Sequence, residues 1–270
     1  MKEPLRNYHT HTTRCRHAEG TDEEYVLAAI ETGYDTLGFS DHCPWPVAPG
    51  VTVKGHMYMD QLDDYVQSVR RLQEKYAGKI RIRLGFECEY LPEYMDWLGQ
   101  MAQEQQVDYL IFGNHWEKAE GDGLIFPSAK TPQEVETYVD RAIAGMETGL
   151  FCCLAHPDIV LKTYGEFDEE CQRQMERLCV AAKRLNMPIE YNLWGVHLYE
   201  AEKDTIGLGY PYPPFWQIAA DVGCEVVVGS DAHRVWCLKK PDWVRQAYSV
   251  LEGLGIRVIK DFEPVYPGKR

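Results

Sequence analysis

Short apolar runs alternate along this chain with longer amphipathic stretches. Each run is a few residues long, is rich in β-branched and aromatic residues, and gives way to polar residues at its end. Runs of this kind are typical of strands that are buried on both faces of a sheet. Seven runs are therefore predicted to be strands: 6–9, 36–40, 80–86, 109–113, 151–155, 188–192 and 225–229.

The stretches between these runs have the periodicity and the terminal signals of helices. The segment Thr21-Asp-Glu-Glu24 is a capping box, and Gly33 is placed to end the helix that it begins. In the segment 59–76, apolar residues recur close to the 3.6-residue period. Helices are accordingly predicted at 21–33, 59–76, 131–147, 168–185, 214–221 and 242–254.

This alternation of strands and helices predicts an α/β fold with a parallel sheet covered by helices. Seven units in 270 residues suit a closed barrel, since barrels of eight units take about 250 residues. An open doubly wound sheet is the alternative, but it usually carries a glycine-rich phosphate loop after the first strand, and none is present here. Because no linker or close repeat interrupts the pattern, residues 1–270 are predicted to form a single domain.

Charge and cysteine content narrow the functional classes. The chain has 28 Lys and Arg against 42 Asp and Glu, a net charge of −14, which disfavours nucleic-acid binding. It has no apolar run of the roughly 20 residues that a membrane span requires, and no apolar N-terminal signal. The nine cysteines include no CxxC pair and are expected to be reduced and mostly buried. These features predict a cytoplasmic protein that binds neither nucleic acid nor membrane.

Nearly every predicted strand ends in a histidine or an acid. The carboxyl ends of parallel barrel strands lie on one face, so these side chains are expected to converge there. Neutral imidazoles with a few carboxylates are typical ligands of Zn, Mn or Fe, and their number exceeds one tetrahedral site. A centre of two or three metals, with a carboxylate that bridges a pair, is therefore predicted. The residues concerned are His9, His11, His17, His42, Glu87, His115, His156, Asp231 and His233.

These residues carry a set of motifs that resembles the PHP (polymerase and histidinol phosphatase) superfamily. The motifs, which follow the family's order, are His9-Thr-His11, His17, Ser40-Asp-His42, Gly85-Phe-Glu87, His115, His156-Pro-Asp158 and Gly229-Ser-Asp-Ala-His233. The segment Glu87-Cys-Glu-Tyr-Leu-Pro resembles the histidinol-phosphatase branch. The resemblance implies a distorted (β/α)7 barrel of the TIM-like kind with a trinuclear metal centre, which agrees with the strand count.

The resemblance also implies which residues hold each of three divalent transition metals. The three ligand sets are His9, His11, Glu87 and Asp231; Glu87, His115 and His156; and His17, His42 and His233. Glu87 would thus bridge the first two metals. Glu89 is the alternative bridge, because residues two apart share a strand face. Glu87 is preferred because the family motif places the acid two residues after the glycine, here Gly85. His56 is predicted to be a loop histidine.

A phosphatase mechanism follows from the implied metals. Water between them would lose a proton near neutral pH, and the resulting hydroxide would attack phosphorus in line while the metals offset the transition-state charge. The leaving alkoxide would still need a proton. Asp158, two residues after His156, corresponds to the family's candidate general acid; the alternative is that Asp158 orients a ligand imidazole.

The expected partner is a small phosphorylated metabolite. Histidinol-phosphatase relatives often carry phosphate-binding arginines where this chain has Ile159 and His197, so histidinol phosphate is not singled out as the substrate. The predicted substrate contacts are Arg234, His197 and Asn192. Other cations that could contribute are Arg14, Arg16 and Lys162, each of which is otherwise an ordinary solvated side chain.

The sequence therefore predicts a metal-dependent phosphatase of a small phosphate monoester, similar to the histidinol phosphatases of histidine biosynthesis. Two alternatives remain open. A phosphodiesterase or nuclease could use the same centre, but it would need a cationic groove that the net charge of −14 does not favour. A non-catalytic PHP module is the second alternative, and the complete ligand set argues against it.

Overall fold

Strands and helices alternate along the chain, which the computed structural model describes over residues 5–48, 51, 53–120, 122–202 and 207–266. The strands in these ranges are β1 (Leu5–Asn7), β2 (Tyr34–Phe39), β3 (Arg81–Cys88), β4 (Tyr109–Phe112), β5 (Ile189–Asn192), β6 (Glu225–Gly229) and β7 (Arg257–Val258). The helices are α1 (Asp22–Thr32), α2 (Leu62–Lys75), α3 (Met95–Glu104), α4 (Pro132–Glu147), α5 (Glu169–Arg184), α6 (Leu193–Glu202), α7 (Pro213–Val222) and α8 (Pro241–Gly253).

All paired strands run parallel, in the orders β1-β2-β3-β4 and β5-β6-β7. The segment 151–155, predicted to be a strand, lies between the two groups and pairs with each through isolated bridges. On one side Phe112 N donates to Cys153 O at 3.0 Å, and on the other Glu190 N donates to Leu154 O at 2.8 Å. Hydrogen bonds therefore connect the two groups across this segment.

The sheet closes on itself where β1 ends. Ala232, just after β6, pairs in parallel with Thr10. His11 N donates to Ala232 O and Ala232 N donates to His9 O, both at 3.1 Å. Seven chain segments thus surround the interior, and the predicted distorted (β/α)7 barrel is confirmed.

Three elements were not predicted. β7 pairs with the first residues of β6, Glu225 and Val226, and has only two residues, too few to show a pattern. The helices α3 and α6 are each ten residues long. Because they follow β3 and β5 closely, the sequence pattern does not distinguish their residues from the loops at the strand ends.

Tyr109 on β4 fills the interior of the barrel. Its hydroxyl lies 2.7 Å from Tyr8 O and 3.0 Å from Phe39 O, to which its single proton can be donated, so the buried phenol is satisfied. A Cβ atom at Gly85 would overlap the Tyr109 ring, which explains why a glycine stands on the facing strand β3. Because the interior is packed in this way, a functional cavity forms at the strand ends.

The helices outside the barrel begin at the signals that the sequence carries. Thr21 Oγ1 accepts a hydrogen bond from Glu24 N at 3.3 Å, and Glu24 Oε2 accepts one from Thr21 N at 2.7 Å. The predicted capping box is therefore confirmed, and Gly33 ends α1 with a φ of 90°. Thr131 begins α4 with a second capping box.

The absence of a membrane-spanning helix and the burial of the cysteines can both be examined in the described residues. No helix among them has the length and apolar character that crossing a membrane requires. All nine cysteines fall within the described ranges and are free thiols, and every one except Cys152 is buried. The expectation that most of the cysteines are buried is confirmed.

Candidate metal centre

Nine candidate metal ligands converge at the carboxyl ends of the barrel strands. His9 and His11 follow β1, Glu87 lies near the end of β3, and Asp231 and His233 follow β6. The neighbouring loops supply His17, His42, His115 and His156. Seven of the nine line one cavity of about 540 Å³, and His9 and His11 are completely buried.

Glu87 lies at the centre of this group. Its Oε1 lies 2.9 Å from His156 Nε2 and 3.5 Å from His115 Nε2. Its Oε2 lies 3.3 Å from His9 Nε2 and 3.2 Å from His42 Nδ1. The two carboxylate oxygens therefore face different imidazoles, which is the arrangement that a bridging ligand requires.

Asp231 lies beside the Oε2 of Glu87. Its Oδ1 is 3.0 Å from His11 Nε2 and 3.5 Å from His9 Nε2. The rings of His9 and His11, which are two residues apart and share a direction, have centroids separated by 5.1 Å. These four side chains thus form one compact group of donor atoms.

His17, His42 and His233 form another group. The ring centroid of His17 lies 5.2 Å from that of His42 and 4.7 Å from that of His233. One nitrogen of each ring lies within 4.8 Å of the others. His17 Nδ1 lies 2.9 Å from the carbonyl oxygen of Cys15, which accepts its proton and leaves Nε2 available as a ligand. The structure therefore brings together all three implied ligand sets.

Several buried polar atoms at this centre lie close to one another but form no hydrogen bond of acceptable geometry among the described residues. Buried polar atoms in folded proteins are almost always paired, so a cluster of unpaired ones indicates a site built for a ligand. The atoms are His9 Nε2, His11 Nε2, His42 Nδ1, Glu87 Oε2 and Asp231 Oδ1. Imidazole nitrogens with carboxylate oxygens suit transition metals. The residues present therefore fit a metal centre.

The backbone around the centre is constrained in two ways. His156 and Asp231 have φ values of 29° and 46°, and such left-handed conformations cost non-glycine residues about 1–3 kcal/mol each. Gly113, just after β4, leaves the space that the centre needs, because a Cβ atom there would overlap Glu87 Oε1. Strain and close approach at predicted ligands are typical of functional sites.

Carboxylates hold two of the ligand imidazoles from behind. Glu190 Oε1 lies 2.9 Å from His9 Nδ1, and Asp41 Oδ1 lies 3.3 Å from His11 Nδ1. A carboxylate that accepts the Nδ1 proton leaves Nε2 unprotonated and directs it at the centre. The described structure therefore supports the orientation of these ligands as well as their positions.

Glu89 plays the same part for His115. Its Oε1 lies 3.0 Å from His115 Nδ1, while its Oε2 accepts a hydrogen bond from Trp45 Nε1 at 3.1 Å and lies 2.8 Å from His56 Nε2. Both oxygens are thus engaged, whereas those of Glu87 face two groups of ligands. His56 lies in a loop, as predicted, but it is buried and contacts Glu89, which its position 33 residues earlier in the sequence did not reveal.

The carboxylates give the part of the centre around His9 a negative potential, whereas burial and neighbouring imidazoles lower the pKa of His42. Burial opposes the ionisation of Glu87 and Asp231, but the surrounding imidazoles hold the pKa of each carboxyl well below its usual range. Burial also disfavours the charged imidazole of His9, yet the carboxylates of Glu190, Asp231 and Glu87 raise its pKa well above the ordinary value. A place where buried imidazoles attract protons this strongly also attracts divalent cations.

Asp158, the predicted general acid, is buried after the His156 loop, and the described cavity wall does not include it. Its Oδ2 accepts hydrogen bonds from Tyr212 N at 2.7 Å and Trp216 Nε1 at 3.1 Å. Its Oδ1 is buried without a hydrogen-bond partner in the described structure. Burial raises the pKa of this carboxyl to about 7. Its contacts fix the turn before α7.

Asn192, a predicted substrate contact, lies buried behind the centre. Its Nδ2 donates to Glu190 Oε2 at 2.9 Å and to Asp231 Oδ2 at 3.1 Å. Its Oδ1 accepts a hydrogen bond from Gly195 N at 2.9 Å, in the first turn of α6. The structure therefore places Asn192 where it holds Asp231.

Arg234 and His197, the other predicted substrate contacts, are also outside the described cavity wall. Arg234 Nη1 donates to the carbonyl oxygens of His17 at 2.8 Å and His233 at 2.9 Å, and its Nη2 lies 3.0 Å from Glu19 Oε1. Arg234 thus ties together the loops that carry two ligand histidines. His197 packs against the rings of Trp194, Trp236 and Trp243.

The remaining cavity wall combines apolar and cationic side chains. Its apolar and aromatic members are Trp116, Ile125, Pro127, Ile159, Trp194, Leu198 and Tyr210. Its cations are Arg16, Lys54 and Lys162. Such a lining suits a small ligand with one strongly polar end.

Comparisons with known proteins agree with this geometry. A family model described as "PHP domain" matches residues 7–193. A protein of Deinococcus radiodurans named "Probable histidinol-phosphatase" is 30% identical over 241 residues, which cover 84% of this chain and 85% of that protein. The histidinol-phosphatase of Bacillus subtilis is 30% identical over 95 residues, 34% of this chain and 35% of that one.

A solved structure supports the fold. The histidinol phosphate phosphatase of Lactococcus lactis, crystallised with zinc, L-histidinol and phosphate, aligns with a TM-score of 0.71 at 17% identity. The alignment covers 97% of each chain. At this identity, the likeness concerns the arrangement of strands and helices.

Proposed function

This chain belongs to the PHP domain family, and on that premise we propose that it is a single-domain, metal-dependent phosphatase that acts in the cytoplasm on a small phosphorylated metabolite. Its reaction class is phosphoric monoester hydrolysis, as in the histidinol-phosphatases that it resembles in sequence. A cytoplasmic location is supported by nine free cysteines, which a reducing compartment would preserve.

The observation that carries this proposal is the position of Glu87 between two groups of ligands. Its two oxygens face His156 and His115 on one side and His9 and His42 on the other, at 2.9–3.5 Å. A carboxylate in this position could be a ligand to two metals, and such metals would supply the charge stabilisation that phosphoryl displacement needs. The function thus rests on an arrangement of donor atoms as well as on family membership.

We assign three divalent metals to the three groups of ligands. The first would be held by His9, His11, Glu87 and Asp231, the second by Glu87, His115 and His156, and the third by His17, His42 and His233. Zn, Mn and Fe all suit such ligands, and availability in the cell would select among them. Bound metals of this kind supply Lewis-acid activation of water and of the phosphoryl group.

The chain's own residues prepare the centre for this chemistry. Glu87 and Asp231 remain ionised, because the imidazoles around them stabilise the carboxylates. Glu190, Asp41 and Glu89 keep the Nδ1 proton on their partner histidines, so that each Nε2 stays available. The aromatic side chains of Trp116 and Trp194 wall the cavity, which reduces the water around the phosphoryl group and strengthens its electrostatic contacts.

Asp158 is the carboxyl group that we propose as proton donor to the leaving alkoxide. Burial raises its pKa to about 7, so that its protonated form is available near neutral pH. The leaving group would have to reach Oδ1, because Oδ2 is engaged by Tyr212 and Trp216. Asn192, His197 and Arg234 remain predicted substrate contacts, each through a rearrangement of the hydrogen bonds or ring packing described above.

A panel of phosphate esters tests the function. Protein purified without chelator would be analysed for metals and assayed with histidinol phosphate, benzyl phosphate, bis(p-nitrophenyl) phosphate and single-stranded RNA. The monoesters are expected to be hydrolysed at least about a hundredfold faster than the diesters. Faster hydrolysis of either diester would instead support a phosphodiesterase or nuclease. Full metal content with no hydrolysis of any ester would support a non-catalytic module.

A further inference from the structure

We propose that Lys162, together with Lys54, forms a subsite in the metal cavity for an anionic oxygen group of the substrate. The inference deepens the proposed function and rests on it. Both side chains line the cavity that holds the ligand histidines, and they come from different loops. Neither residue belongs to the ligand sets described above.

The local structure directs Lys162 toward the cavity. It ends a 3-10 helix, Ile159–Lys162, that begins three residues after the ligand His156. In a 3-10 helix, side chains three residues apart lie one above the other, so Ile159 and Lys162 share a side. Both residues line the cavity, as this geometry requires. The ammonium group is therefore carried on the face of the turn that adjoins the centre.

The backbone of this turn is fixed. Thr163 Oγ1 lies 3.2 Å from the carbonyl oxygens of both Pro127 and Ala129, to which its single proton can be donated. The carbonyl oxygen of Lys162 itself accepts a hydrogen bond from Gly207 N at 2.9 Å. A fixed backbone limits the ordering that ligand binding would still require.

The ammonium group of Lys162 has no hydrogen-bond or ion-pair partner in the described part of the chain, and the residue as a whole is partly buried. Acidic residues outnumber basic ones by 42 to 28, and Arg14, for comparison, pairs with both Asp22 and Asp64. An ammonium that lines a cavity without an internal partner can bind an anion with no existing contact to break. Its three N–H donors are all available.

Lys54 is an exposed residue at the cavity, and neighbouring contacts hold the backbone of its loop. Val53 O accepts a hydrogen bond from Arg16 Nη2 at 2.8 Å. His56 Nε2 lies 2.8 Å from Glu89 Oε2, which in turn holds the ligand His115. The loop is therefore anchored on both sides of Lys54, whose ammonium also has no partner among the described residues.

Arg16, the third cation of the wall, is engaged differently. Its Nη1 donates to Tyr58 Oη at 2.7 Å while its Nη2 donates to Val53 O. Two of the five N–H donors of its guanidinium group therefore hold the loop, whereas every N–H donor of the two lysines is free to contact a ligand. Two ammonium groups suit the oxygens of a phosphate or a carboxylate.

The two lysines could bind either the phosphoryl oxygens of the substrate or a second anionic group on its leaving alcohol. Three esters distinguish these possibilities, because they share one reacting bond and differ in the charge at the far end of the alcohol. They are benzyl phosphate, 4-carboxybenzyl phosphate and 4-(aminomethyl)benzyl phosphate. Lys162→Met and Lys54→Met would be compared with Lys162→Arg, which restores the charge. Lys79→Met is the matched control, since Lys79 precedes β3 at the opposite end of the barrel.

Loss of one charged hydrogen bond predicts a rise in KM of about 10- to 100-fold in Lys162→Met, with partial recovery in Lys162→Arg. A rise for all three esters, with a matching rise in the inhibition constant of inorganic phosphate, assigns the subsite to the phosphoryl group. A rise confined to 4-carboxybenzyl phosphate assigns it to a second anion. Unchanged KM values for every ester in both methionine variants would overturn the subsite.

Equilibrium binding measurements test the anion subsite independently of whether the protein is a phosphatase. Calorimetry on the metal-loaded protein would measure the affinity of inorganic phosphate and of 4-(hydroxymethyl)benzoate, with metal content and thermal unfolding checked for each variant. If the protein hydrolyses no ester but Lys162→Met weakens either anion, the phosphatase function fails and the subsite stands. If both anions bind the variants and the unmodified protein equally, the subsite fails whatever the activity.

Discussion

Glu87→Gln changes one oxygen to an amide nitrogen, with almost no change in shape, at the point where two ligand groups meet. The substitution removes the negative charge that faces His9 and His42 through one oxygen and His115 and His156 through the other. If Glu87 bridges two metals, both should be lost together, because a neutral amide cannot offset the charge of two cations.

The size of the effect follows from Coulomb's law. For unit charges about 4 Å apart at an effective dielectric of about 20, the interaction is worth about 4 kcal/mol, or roughly a thousandfold in affinity. The loss applies to each of the two metals that Glu87 would contact. Metal content should therefore fall from about three to about one per chain at concentrations that saturate the unmodified protein, and hydrolysis of benzyl phosphate should fall with it.

The assay is elemental analysis after equilibration with buffered Zn or Mn, together with kcat/KM for benzyl phosphate. Glu89→Gln is the matched control, since Glu89 is an equally buried carboxyl two residues further along. Glu89 contacts the Nδ1 atom of His115 from behind. Its loss should weaken one metal by only about 10- to 100-fold, the usual cost of removing a partner of a ligand imidazole.

A Glu87→Gln protein that keeps full metal content and activity would show that Glu87 does not bridge two metals. If Glu89→Gln lost two metals while Glu87→Gln lost none, Glu89 would be the bridging carboxylate. Circular dichroism of both variants would show that the barrel remains folded.

Three further changes have defined outcomes. Asp158→Asn should keep its metals and slow benzyl phosphate by about 10²- to 10⁴-fold but p-nitrophenyl phosphate much less, whereas equal losses would indicate a positioning role through Tyr212 and Trp216. Gly113→Ala should lower metal content in a folded protein, because its Cβ would overlap Glu87 Oε1, and unchanged content would contradict that geometry. Removal of metals by a chelator should lower stability by about 3 kcal/mol at a hundredfold excess over Kd, seen as a fall in Tm that added Zn or Mn reverses. An unaltered Tm would argue against tightly bound structural metals.

The barrel was largely predictable because its signals are local. The capping box at Thr21 and the alternation of apolar runs with amphipathic helices each depend on residues close together in the chain. The segment 151–155 was correctly located between β4 and β5, but it pairs through isolated bridges. β7 escaped prediction because two residues stabilised by pairing with β6 carry no periodicity of their own.

The resemblance to the PHP superfamily is confirmed by the family model, and the implied ligand sets do lie together in the described structure. The motifs sufficed here because ligands at strand ends are fixed by the strands that carry them. The motifs did not reveal what the side chains of the predicted substrate contacts bind in the folded protein. Arg234 and Asn192 lie next to ligands in sequence or on a strand, yet their side chains are engaged by backbone oxygens and carboxylates.

The sequence by itself determined the fold class, the family and the residue types gathered at the strand ends, because periodicity, caps and motif order are properties of the chain. Only the tertiary structure shows that the oxygens of Glu87 face two groups of imidazoles, whereas those of Glu89, just after the same strand, contact His115, His56 and Trp45. It also decided that His56 belongs to the centre and that Lys162 faces the cavity, since both depend on how loops distant in sequence are packed together. Orientation of a side chain is set by its neighbours in space, and the order of residues does not specify those neighbours.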